Sequence, residues 1–152
     1  RGTFARRGLE TRYVDQMTDY EFADFPQLSI TIDGAEASMD SLVHWKNYQA
    51  ANVGANAFTS RYAEYFHTDY GLITLENEES DSRQDLLIVA DSYSNCMERF
   101  LAVHYRTTYV LDPRHDDETI DAFLAQHQDV SDVLFIMRSP NMLAQTTEHM
   151  RE

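Results

Sequence analysis

The chain reads as an α/β domain: a three-layer α/β/α arrangement around a mostly parallel sheet. Three observations predict it. Residues 86–90, LLIVA, form an unbroken apolar run, as a strand covered on both faces requires. The last half of the chain alternates apolar runs with amphipathic stretches, β-α-β-α-β-α with short connections. That order closes as parallel strands joined by right-handed helical crossovers. The run at 86–90 also ends in Asp91-Ser92, so a strand delivers a serine to a sharp turn.

Taken in order, residues 1–25 are polar and aromatic, with a short helix expected near 10–20 that Pro26 ends. Residues 28–32, LSITI, alternate with period two and suit a half-buried strand, and Asp33-Gly34 marks a turn. Residues 35–57 are rich in Ala and Asn, hold the single tryptophan, Trp45, and read as a loop with a short helix. An aromatic stretch at 61–66 leads through a turn at 67–71 to a short strand at 72–75 and an acidic, turn-like segment at 76–83. Strand 86–90, a helix at 93–104 and a strand at 107–111 follow, the last ending in Asp112-Pro113-Arg114-His115. Asp116, Asp117 and Glu118 open a helix to about residue 127, acids in its first turn as the dipole favours. A strand at 133–137 runs into Arg138-Ser139-Pro140-Asn141 and a final helix.

The 152 residues, 43% hydrophobic, suit a single domain with a real core or the C-terminal part of a larger one. A net charge of −14 argues against a nucleic-acid binder, because neutralising phosphates needs a basic face. The one basic cluster, Arg1, Arg6, Arg7 and Arg12, is expected to meet the acidic remainder or solvent. A single cysteine, Cys96, rules out an intramolecular disulfide and is expected as a small buried apolar residue. No apolar run is long enough to span a bilayer, and nothing reads as a signal peptide. The chain begins Arg1-Gly2-Thr3 without an initiator Met, so a fragment of a longer protein is expected.

Ser92 has two readings. As a helix cap, it or Asp91 satisfies the first N–H groups of helix 93–104. As a nucleophile, it stands at a strand end and at the positive end of a helix dipole, where a developing oxyanion is stabilised. Two further strand ends carry polar clusters, one with Arg114 and one with Asn141. In a parallel sheet these loops share one edge, and Ser92, Arg114 and Asn141 together have the content of an oxyanion site.

The stretch from residue 90 to 115, followed by DVLFIMRSPN, resembles the DHHW family, bacterial proteins with an SGNH-hydrolase-like fold akin to exopolysaccharide O-acetyltransferases such as those acting on alginate. Asp91, Ser92, Tyr93 and Asn95 match that family's strand-end D-S-[FY]-x-N element. Phe100, Leu101, His104 and Tyr105 match its following helix, and Asp112 and Arg114 its DxR element. The segments at 2–8 and 66–73 are also similar to family segments. The resemblance implies that Ser92 accepts an acyl group, with a partner aspartate and histidine from an upstream motif. It implies a polysaccharide acceptor, a membrane partner as acetyl donor, no cofactor, and an extracytoplasmic location.

The sequence also departs from the pattern. It contains no Asp-x-His or Asp-His-His, and a serine without a base is a weak nucleophile. Ala90 stands where SGNH enzymes have glycine, and Thr68-Asp69 where the resemblance implies Gly-Asn. Among local histidines, His104 lies roughly 18 Å along a helix from Ser92 and suits a helix-end cation. His115, in the next strand-end loop, is the better placed, and Thr146-Thr147-Glu148-His149 is a poor match to a C-terminal Asp-x-x-His.

His67-Thr68-Asp69 lacks a second ligand pair at metal spacing and reads as a turn with a solvent-facing carboxylate. Glu76, Glu78, Glu79 and Asp81 lack the glycine-bearing loop of an EF-hand and read as a solvated acidic loop. Tyr62, Tyr65, Phe66 and Tyr70 suit either sugar stacking or sheet packing. The alternative to an esterase or acetyltransferase is a non-catalytic carbohydrate-binding or scaffolding domain of the same fold. A phosphate-binding doubly wound domain is weakened by the absence of glycine between residues 72 and 152.

Overall fold

The computed structural model describes residues 20, 22–44, 62 and 65–140. The helix expected near 10–20, the arginine cluster at 1–12, Trp45, and the final segment with Asn141 and His149 lie outside the described residues. The chain divides into two compact units, one of residues 26–39 and 69–152, the other of residues 1–25 and 40–68.

The first unit is built on a six-stranded sheet of order β2-β1-β3-β5-β4-β6. Its strands are β1 (Ser29–Ile32), β2 (Ala35–Ala37), β3 (Leu72–Glu76), β4 (Asp85–Ala90), β5 (Thr107–Leu111) and β6 (Val130–Ile136). β4 pairs in parallel with β5 on one side and β6 on the other. The pairs β1–β2, β1–β3 and β3–β5 are antiparallel. The sheet is therefore mixed, and the mostly parallel reading is corrected. The reason is local: β1 and β2 are joined by a two-residue hairpin, and a hairpin forces antiparallel pairing. Asp33 (φ 49°) and Gly34 (φ 79°) are both left-handed, which is the type I′ turn that Asp-Gly favours. The strand β2 replaces part of the loop expected at 35–57, since pairing with β1 outweighs the low strand propensity of Ala35, Glu36 and Ala37.

Every residue of β4 is buried, as the apolar run required. On one face Leu87 and Val89 join Leu111 and Phe123 in a fully buried cluster, with Tyr109, Ile120 and Leu124 packed against it. Phe123 comes from a helix, Ile120–Gln126, whose cap Thr119 accepts the N–H of Ala122. The helix starts later than residue 116, because the Asp116 carboxylate takes the N–H of Glu118 in a turn of its own. The helix expected at 93–104 is likewise reduced to Glu98–Ala102, which packs on β5 and β3. Residues 92–97 form turns instead, with Ser94 N–H and Oγ both bonded to the Asp91 carbonyl. Short polar side chains here compete with helical hydrogen bonding. Cys96 is exposed, which corrects its expected burial, because the turn carries it on its outer side.

β6 lies at the edge of the sheet, and its Val133, Leu134 and Phe135 are exposed. At the other end of the strands, Arg106 donates to both oxygens of the buried Asp85 and to Asp129, fastening the starts of β4, β5 and β6.

A short helix, Met39–Leu42, starts at the boundary of the two units, and in the second unit Val43 and Phe66 form an antiparallel bridge. Tyr65 and Phe66 are buried and meet edge to face at 4.8 Å, so these two aromatics are packing residues. Their burial settles them against the sugar-stacking reading.

Replacing Phe123 with alanine removes a side chain with no exposed surface from the centre of the sheet's helix-covered face. Denaturant unfolding of Phe123→Ala is expected to show a loss of about 3–5 kcal/mol.

Candidate active site

The pairing register brings five chain segments to one edge of the sheet. β4, β5 and β6 end there because they are parallel. β3 begins there, with Leu72 opposite Leu111, and β1 ends there, with Ile32 opposite Ile73. Ser92 stands at this edge, half-buried, one residue beyond the buried Asp91. The chain leaves β4 to one side for β5 and returns to its other side for β6. Ser92 thus lies where open α/β sheets form their ligand crevices.

Asp91 fixes the local geometry. One carboxylate oxygen accepts the N–H of Tyr93 at 3.0 Å, the other the N–H of Arg138 at 2.9 Å. The Asp91 N–H donates to the Ile136 carbonyl. The Ser92 turn is thereby pinned to the loop that follows β6. Neither Asp91 nor Ser92 caps the Glu98–Ala102 helix, whose cap position is Met97. The expectation of a helix dipole aimed at Ser92 is corrected with it, since the helix starts six residues on and spans little more than one turn. The residues after Ser92 form a turn instead, and the N–H groups of Tyr93 and Ser94 are bonded to Asp91.

Arg114 stands at the same edge, in the loop after β5. Its guanidinium grips Asp112 through both carboxylate oxygens and reaches Asp69 at 3.1 Å. Its hydrogen bonds to Asp112, above all, raise its pKa, with the charges of Asp69 and Asp91 adding to the effect. His115 Nε2 lies 3.7 Å from the same Asp69 oxygen. Asp69 is therefore an ion-pair partner, where the sequence suggested a solvent-facing carboxylate. Asp69, Asp112 and His115 offer ligand atoms within 4.8 Å of one another. The guanidinium already bridges both carboxylates, so the group is a salt-bridge cluster before it is a metal site. The sequence pattern placed Ser92 and Arg114 together; Asn141, the third expected member, lies outside the described residues.

Sequence reasoning missed Asp33, Gly71 and Asp116. Asp33 Oδ1 accepts the Leu72 N–H at 2.9 Å. A Cβ on Gly71 would fall 2.9 Å from the His115 carbonyl oxygen and 3.2 Å from Asp33 Oδ1. Only the pairing of β1 with β3 and of β3 with β5 reveals this close approach.

A groove of about 820 Å³ opens at the opposite sheet edge, between Asp85, Arg106, Tyr109, His127 and Asp129. It does not include Ser92. Burial, above all, raises the Tyr109 pKa there, helped by Asp85 and Glu76.

No family model matches the chain, and no curated protein does. Solved structures do. The structure of Bacillus cereus PatB1 with a sulfonyl adduct matches with a TM-score of 0.60 and 26% identity, over 78% of this chain and 39% of that one. A second PatB1 structure matches with a TM-score of 0.57 and 27% identity, over 75% of this chain and 36% of that one. A DHHW family protein from Eubacterium siraeum matches with a TM-score of 0.50 and 20% identity, over 73% of this chain and 35% of that one. The chain shares its α/β fold with these proteins. It spans less than two fifths of the length of each.

Two outcomes follow from the geometry. Asp91→Ala removes two charge-assisted acceptors from a buried turn, and urea unfolding should register a loss of about 2–3 kcal/mol. Gly71→Ala forces a methyl group against a backbone carbonyl, so its melting temperature should fall by several degrees, at a cost of about 1–3 kcal/mol.

Proposed function

We propose that this chain is the serine-bearing part of an SGNH-like, DHHW-type acyl-transfer domain acting on cell-surface or exported polysaccharide. The observation that carries the reading is the position of Ser92: after a wholly buried parallel strand, at the point where the chain switches sides of the sheet. Two further facts support it. The fold is shared with a protein that has been seen with a sulfonyl adduct. A sulfonyl adduct is what a nucleophilic hydroxyl acquires from a sulfonyl electrophile. The two crossovers from β4 to β5 and from β5 back to β6 run in opposite directions. Right-handedness then sets their helices on opposite faces, the three-layer arrangement of the fold class.

In this mechanism Ser92 Oγ attacks an acyl carbonyl, probed here as acetyl. The tetrahedral intermediate collapses with loss of the donor's leaving group and leaves an acyl-serine. A sugar hydroxyl or water then attacks the acyl carbon and restores the Ser92 hydroxyl. Arg114 and, by resemblance, Asn141 are the proposed side-chain donors to the developing oxyanion, because the N–H groups of Tyr93 and Ser94 are already bonded to Asp91. A histidine held by an aspartate takes the serine proton, and by resemblance that pair belongs to an upstream motif. The acetyl donor is a membrane partner, and the site of action is extracytoplasmic. No cofactor takes part.

A non-catalytic carbohydrate-binding role is the second reading. It is favoured by the commitment of Arg114 to Asp112 and Asp69, which leaves less of its donor capacity for an oxyanion.

The test uses the longest native form of the protein. It is expected to hydrolyse p-nitrophenyl acetate, and Ser92→Ala should lower the rate by at least about a thousandfold. An arylsulfonyl fluoride should add one sulfonyl group, located at Ser92 by peptide mass spectrometry. Unchanged hydrolysis by Ser92→Ala, or a native form that is neither active nor labelled, would overturn the acyl-transfer reading and favour the binding domain.

A further inference from the structure

The groove at the starts of β4 and β5 lies apart from Ser92, roughly 20 Å away along β4 at 3.3 Å per residue. Its floor is one row of side chains: Glu76 of β3 pairs with Thr107 of β5, and Thr107 with Asp85 of β4. Thr107 is only 7% exposed and lines the groove. It shares a sheet face with Tyr109, which packs on Phe123 and His127, so its side chain points to the helix-covered side where the groove lies. Among the described residues its hydroxyl has no hydrogen-bond partner. A buried hydroxyl without a partner costs free energy, unless something that enters the groove supplies one.

The walls of the groove are held in place from within. Arg106 grips Asp85 and Asp129, and Asn77 donates to the Val103 carbonyl while its oxygen takes the Glu79 N–H. The groups left over are of both kinds. Among the described residues, Glu76 and Glu78 are acceptors with no hydrogen bond or ion pair, and the Thr107 and Tyr109 hydroxyls and the Gln128 amide are donors with none. Burial, above all, and the charges of Asp85 and Glu76 hold the Tyr109 proton in place, so that phenol stays a donor. None of the described residues that line the groove is aliphatic, so an acyl chain or an apolar peptide anchor has nothing to bury against. A phosphate or carboxylate would face Glu76 and Glu78, while the Arg106 charge is shared between two aspartates. A sugar hydroxyl both donates and accepts, which matches the mixed set of free groups. We infer that this groove is a binding site in its own right and that it holds a neutral saccharide. The inference stands apart from the acyl-transfer reading, since none of its residues lies at the Ser92 edge.

The experiment titrates the longest native form with cellotetraose, maltotetraose and chitotetraose by calorimetry, and maps each complex by hydrogen exchange. At least one of these sugars is expected to bind, slowing exchange in peptides that cover residues 76–80 and 126–129 and not in those that cover 91–94. Thr107→Val keeps the shape and removes the hydroxyl, and should weaken binding about fivefold or more, the worth of one hydrogen bond. Glu76→Gln, which removes a charged acceptor, should weaken it at least as much. Thr107→Val is also expected to melt no lower than the native form, because it deletes a hydroxyl that the fold leaves unbonded. Tetragalacturonate should bind more weakly than the best of the neutral sugars by about fivefold or more. No binding of any neutral sugar, protection at 91–94 instead of the groove, or an affinity unmoved by both variants would overturn the inference. So would a lower melting temperature for Thr107→Val, or a uronate that binds as well as the neutral sugars. Ester hydrolysis is not among these readouts, so the acyl-transfer reading stands or falls separately.

Discussion

The complete burial of β4 is the constraint from which most of this structure follows. Six consecutive buried residues need a strand on either side and cover on both faces. β5 and β6 supply the strands, and because both run parallel to β4 their connections must cross back along the sheet. The crossings return the chain to the same starting edge each time, so the three following loops gather at the opposite edge. Asp91-Ser92, Asp112-Pro113-Arg114-His115 and Arg138 are neighbours for that reason. The antiparallel strands β1 and β3 then bring Asp33 and Gly71 to the same place from remote parts of the chain.

Both edges are fastened by an arginine that bridges two aspartates, with different outcomes. Arg106 lies at the start of β5 and ties the buried Asp85 to Asp129, so its work is to hold three strand beginnings together. Arg114 lies at the end of β5 and ties Asp112 to Asp69 beside Ser92. One clamp joins strand beginnings, while the other joins the loop after β5 to the segment before β3, at the strand ends where Ser92 stands. The pairing in each case compensates a carboxylate that has lost part of its water, which is the condition under which a buried charge is tolerated.

The parallel half of the fold was legible because its signal is local. LLIVA at 86–90 and TTYVL at 107–111 announce strands by composition alone, and Thr119 caps a helix within a few residues of where acids predicted one. The antiparallel half was less so. β2 is three residues of weak propensity that hold their place by pairing with β1. The shortened helix after Ser92 shows the opposite failure. Its periodicity is helical from residue 93, yet Asp91 and Ser94 make turn hydrogen bonds that prevail over propensity. At the site, strand-end logic found Ser92 and Arg114. It could not find Asp69 as the partner of Arg114, because that contact depends on which strand lies beside β5, a matter of sheet order.

The exposed sulfur of Cys96 has a practical bearing of its own. It is the single thiol of the chain, and it stands four residues from Ser92 on the same turn. Within this chain it has no disulfide partner, so under oxidising conditions a bond between two copies of the chain beside the Ser92 turn is a chemical hazard of storage without reductant. The same property makes the chain a single-label target. A fluorophore attached there would sit on the outer side of the turn, a built-in optical gauge of the turn's own surroundings.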